Sequence, residues 1–191
     1  AGAGAPCIGR SRKDSMNHPF RTWPDASGPL GFKALSMERA AVRSALAPFK
    51  WEGPVARMAI CDRCGSLIPE QLCTCGLYAS YSAGHVLDQY VQYRERFMVL
   101  VEGQGSVILH EHGWRAEQCI IHAIVELYAG NVVKHMMLLN AARCLGRPPL
   151  ISLEDAVSIV QEQYRRYLQD GNWQASWQTD PGAFAATRPP A

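Results

Sequence analysis

The two most apolar stretches of the chain are FMVLV at 97–101 and CIIHAIV at 119–125. Around and between them run EGQG, SVILHEH, Gly113 and the segment WRAEQCIIHAIVELY. Glycines divide this span as turns or bulges divide an antiparallel meander, and its Val, Ile and Leu enrichment favours strands. EGQGS at 102–106 lacks the following helix and lysine of a phosphate-binding loop and reads as a turn. The run that starts at Trp114 is long enough to continue past a bulge.

After residue 130 the period changes to that of helices. Asn131 stands where a cap belongs for a helix reaching Leu145, with Gly146 and Pro148–Pro149 closing it. From Ser152 onward, Leu153, Val157, Val160, Tyr164 and Leu168 form one stripe, with Glu154 and Asp155 in the positive first turn and Gly171 beyond the end. Upstream, Val86, Tyr90 and Tyr93 predict a helix from about Ala83. VARMAIC (55–61) alternates as a strand does. Local propensity predicts a helix from Ser36 to Ala47, stopped by Pro48. The whole reads as an α+β protein: a small antiparallel sheet carrying a clamped loop, followed by C-terminal helices. Its expected parts are a flexible arm or linker (1–15), a β-rich domain (16–128), a helical pair (129–172) and a flexible tail (173–191).

Composition changes this picture little. Hydrophobic residues at 48% and charged residues at 19% are ordinary for a folded domain of 191 residues. No apolar run approaches the roughly 18 residues of a membrane span, and the opening AGAGAPCIGRSRKDS has no apolar core of a secretory signal. The expectation is therefore a cytoplasmic protein without a membrane partner. Net charge is +2, with ten Lys/Arg against five Asp/Glu in 1–66. That basic front third keeps nucleic-acid binding open as an alternative.

Candidate chemistry centres on CDRCGSLIPEQLCTCG (61–76), where Cys61/Cys64 and Cys73/Cys75 are each followed by glycine. A thiolate pair with a glycine beneath it is the form of a zinc knuckle, and four thiolates complete a tetrahedral, closed, structural site. Zinc is the expected cofactor; His85 is an alternative fourth ligand, and an iron–sulfur cluster an alternative occupant. His110 and His112 would share a face of one strand, which raises a metal-dependent hydrolase, with His122 or His135 as third ligand and Glu111 or Glu117 as base. Cys119 and Cys144 read as core thiols. In GWRAE, Arg115 and Glu117 would form a salt bridge opposite a packed Trp114, or Arg115 would meet an anionic partner. Tyr164, Tyr167, Trp173 and Trp177 are the expected protein-contact surface. The leading functional expectation is a non-enzymatic binding or adaptor protein.

Trp51–Gly53 (W-x-G), CTCGLYA (73–79) and GSVILHEHGWRAE (105–117) together resemble a group of small actinobacterial and phage proteins with CxCGIYA and V-x-EHExG[WY]RAE segments. The resemblance spans roughly residues 30–125 and brings no activity, substrate or catalytic residue. It implies a compact β-rich core with a cysteine site, and strands in place of a helix over 31–47.

Overall fold

In the computed structural model, residues 28–38, 41–45, 50–57, 75–88, 95–170 and 177–179 are described. The apolar centre of the sequence forms a long hairpin, β6 (Arg96–His110) and β7 (Gly113–Glu126). A two-residue turn, Glu111–His112, joins them, since His110 pairs with Gly113. EGQGS is thus no turn, contrary to the sequence reading. The strand runs through it by a bulge in which Gly105 and Ser106 face Glu117, between the Gln104–Gln118 and Val107–Ala116 pairs. Gly105 takes φ +72°, and a Cβ there would come within 2.6 Å of the Glu117 carboxylate, so glycine meets both demands. A second register shift leaves His122 as an extra residue of β7, between the Leu100–Ala123 and Val101–Ile121 pairs. This is the expected continuation of the last run past a bulge.

The helix predicted from Ser36 is absent. β1 (Leu30–Glu38) and β2 (Ala41–Ser44) occupy that stretch instead. Leu30–Ser36 pairs along Glu102–Arg96, so sheet burial of Leu30, Phe32 and Leu35 outweighs local helix propensity. β1 also meets β5 (Leu77–Ser80), and both β5 and β6 pair with β7. These four strands therefore close into a ring. β3 (Lys50–Trp51) extends it beyond β2, and β4 (Val55–Arg57) pairs with β7. Two further strands run parallel to their neighbours: β8 (Leu150–Ser152) beside β7 and β9 (Trp177–Thr179) beside β6. The sheet is therefore mixed, where a purely antiparallel one was expected.

Both faces of the sheet are packed, because alternate residues of the hairpin feed two cores. Phe97, Val99, Val101, Trp114 and Ile121 join one core with Leu138 and Ala141 of α2 (Val132–Cys144) and with Leu145, which caps its C-terminus. Met98, Leu100, Ala123 and Val125 join the other with α1 (Ala83–Val86) and with Ala156 and Val160 of α3 (Leu153–Asp170). The expected caps hold: Asn131 accepts from the Lys134 N–H (3.0 Å), and Ser152 from the Asp155 N–H (3.0 Å). Gly146, at φ +82°, follows α2. Among the described residues no helix is long and apolar enough to cross a membrane.

Candidate functional site

β7 organises everything with chemical potential. One of its edges carries β6; the other carries, in turn, β5 at residues 113–116, β4 at 118–120 and β8 at 124–126. Arg57 at the end of β4 therefore lies opposite Gln118, and Leu77 at the start of β5 opposite Ala116. The cysteine-bearing segment leaves and rejoins the sheet on either side of Glu117. Cys61, Cys64 and Cys73 lie outside the described residues; Cys75 is inside them, 8% exposed. Arg115 reaches the same point. The residue is 4% exposed, and its guanidinium donates from Nη1 to the Cys75 carbonyl (3.2 Å). The arginine that the sequence offered to an anionic partner is thus turned onto the end of the cysteine segment. Trp114 beside it packs as expected, 1% exposed, with Nε1 donating to the Leu30 carbonyl (3.2 Å).

A second polar group lies deeper, and sequence reasoning did not single it out. Glu102 and His122 are 0% and 4% exposed, with Oε2 and Nε2 2.7 Å apart. The other carboxylate oxygen, Oε1, accepts from the Gly28 N–H (2.8 Å) and from Gln104 Nε2 (3.2 Å). Burial alone would push this carboxyl up, but the bonds from His122, Gln104 and Gly28 outweigh it and hold the group below its ordinary value. Gln163 of α3 continues the network: Nε2 donates to the Gly28 carbonyl and Oε1 accepts from the Leu30 N–H (2.8 and 2.7 Å). The bulge at His122 turns a ring that strict alternation would have placed differently, so that it meets Glu102. The chemistry is that of a sealed brace between β7, β6, residues 28–30 and α3.

The remaining candidates are dispersed. His110 closes β6, whereas His112 sits in the turn with a largely exposed ring, 3.8 Å from Glu111. The shared strand face that the hydrolase reading needed is not formed, because His112 lies in the turn while His110 ends the strand. His135 Nδ1 lies 2.7 Å from Glu126 Oε1 at the start of α2, far along β7 from the hairpin turn. Glu117 faces the bulge glycine, Gly105. Among the described residues, no three His, Cys, Asp or Glu side chains gather where they could hold a metal. Cys119 is fully buried, and burial pushes its thiol up to about 12 against the pull of the nearby Lys33 ammonium. Cys144, read from sequence as a free core thiol, packs on the first core but is disulfide-bonded. Tyr164 is half-buried, its ring 5.7 Å from that of Tyr81. The side chains of Tyr167, Trp173 and Trp177 lie outside the described residues, although the Trp177 backbone pairs with Val107. His85 donates its N–H to the Ser82 hydroxyl that caps α1.

No protein-family model, no curated protein and no solved structure matches this chain.

Proposed function

We propose that this is a non-enzymatic binding or adaptor protein whose cysteine segment is closed by a structural zinc on Cys61, Cys64, Cys73 and Cys75. One observation carries the reading: Arg57 and Leu77 are registered on Gln118 and Ala116 of the same β7 edge. A loop whose two feet stand that close suits chelation, because the sheet has already met most of the closure entropy that gathering the ligands would cost. Arg115 supports it by holding the Cys75 carbonyl, which fixes the backbone at the last sulfur. Four thiolates leave no open coordination position for water, so the metal serves architecture and recognition falls to the surface. The C-terminal aromatic residues Tyr164, Tyr167, Trp173 and Trp177 supply contact area of the kind that dominates interfaces.

The test is affinity purification from the native host with the wild-type chain and with Tyr167→Ala and Trp173→Ala variants. A partner recovered with wild type and depleted at least roughly tenfold in the variants, with unchanged melting of the variants alone, supports the reading. Equal recovery with all three contradicts it.

A further inference from the structure

The described surface is apolar in one place above all, and that place is the start of α2. Val132 and Val133 are 74% and 80% exposed, Met136 is 49% exposed, and Tyr128 just before the helix is 36% exposed. Single exposed apolar residues need no explanation, but four within nine positions form a patch. The packing of α2 does not call for them. The helix is already anchored to the core by Leu138, Ala141, Ala142 and Leu145. Val132, Met136, Asn140 and Arg143 follow one another at helical spacing along the exposed face. That face is apolar at its first end and cationic at its last.

Charge indicates what covers it. Between Glu126 and Glu154 the chain has no Asp or Glu, while Lys134, Arg143 and Arg147 are all cationic. Lys134 stands with Nζ 5.0 Å from the centre of the Tyr128 ring, so a cation and an amphipathic aromatic share the apolar end. Glu126, the carboxylate bordering this stretch, is held by His135 at 2.7 Å. A second copy of the chain is a poor fit. Four side chains fall short of the roughly 800 Å² per partner that a stable dimer buries, and isologous pairing would bring like charges together. An apolar tip rimmed by cations and an interfacial tyrosine matches a different surface.

We infer that the exposed face of α2, with Tyr128, docks on an anionic lipid surface, Val132, Val133 and Met136 entering the headgroup boundary and Lys134 and Arg143 meeting phosphates. Lying on a membrane in this way needs no spanning segment. The inference goes beyond the adaptor reading and does not rest on the cysteine site. The test is flotation of the full chain with phosphatidylcholine vesicles containing about one-third phosphatidylserine, and with phosphatidylcholine alone. Three proteins are compared: wild type, Val132→Ser with Val133→Ser, and Lys134→Glu with Arg143→Glu. Wild type is expected to float with the anionic vesicles only, and to release as salt rises to about 0.5 M. Both double variants should lose about tenfold or more of that partition while melting as wild type does. Failure of wild type to float at low salt overturns the inference, as does flotation indifferent to both double variants. A concentration-dependent dimer in sedimentation equilibrium, dissolved by the two serines, also overturns it and assigns the patch to a second copy.

Discussion

At Glu102 a carboxylate is removed entirely from water, and the local chemistry shows why it stays charged. Desolvation of an ion costs several kcal/mol unless hydrogen bonds replace the lost water. Here His122, Gln104 and the Gly28 N–H supply them. Removing one member leaves the other buried and unsatisfied, so Glu102→Ala should cost about 3–5 kcal/mol of stability in urea titrations. The carboxyl lies below its ordinary value in the folded chain, so the stability it contributes is complete above about pH 4.3, its unfolded value. That contribution is lost as pH falls through the lower folded value. Glu102→Gln should therefore flatten the acid limb of a stability–pH curve, and an unchanged acid limb would refute the brace. Cys119 has the opposite sign. A thiol raised to about 12 stabilises fully below its unfolded value near 8.5 and loses that contribution as pH rises toward the folded one. In native protein it should resist iodoacetamide at neutral pH and react once urea unfolds the chain; rapid labelling of the native state would contradict its burial.

β7 sets the arrangement of the other elements, because four strands find partners along its two edges. Its first residue must let β5 approach. A Cβ on Gly113 would come within 2.0 Å of the Ala79 carbonyl oxygen, so Gly113→Ala forces the strands apart and should cost roughly 1–3 kcal/mol. The cause is close backbone approach rather than a left-handed φ. The mutant melting temperature checks it, and an unshifted value would mean that the two strands do not meet there. Cap chemistry at α2 predicts a smaller effect: Asn131→Ala removes the acceptor for the Lys134 N–H and should cost about 1 kcal/mol. Both C-terminal helices were legible in the sequence because caps, stripe and terminators agree within a few residues of each other. The ends of the β6–β7 hairpin were legible too. The strand through EGQGS was not, since glycine marks turns and bulges alike and only the partner strand decides between them. β1 was hidden for a related reason: Ser36, Met37 and Glu38 favour a helix locally, and pairing with β6 overrides that preference. β8 and β9, at three residues of parallel pairing each, are too short to carry a local periodicity.

At the scale of the molecule, a closed ring of strands packs α2 on one face and α1 with α3 on the other, and one edge of β7 receives both feet of the cysteine segment. The sequence announced the thiols but not where they arrive, because sheet register is a property of strands distant along the chain. It likewise held the signal for the buried brace without revealing it. Glu102 adjoins one of the two most apolar runs and His122 lies inside the other, and a charge in such surroundings calls for a partner. Cys144 adds a constraint of its own. Cys119 is free and Cys144 disulfide-bonded, so the proposed zinc on Cys61, Cys64, Cys73 and Cys75 requires that Cys144 pair with Cys7. Peptide mapping should therefore find Cys144 joined to none of Cys61, Cys64 or Cys73.

The most direct measurement is the metal content of untagged, unreconstituted protein by mass spectrometry of the intact complex, for wild type and for Cys73→Ser with Cys75→Ser. One zinc per chain in wild type and none in the double variant is the predicted outcome. Wild-type protein that carries no metal while folded, or zinc that survives loss of both sulfurs, would contradict the claim that a thiolate-bound ion closes this loop on the edge of β7.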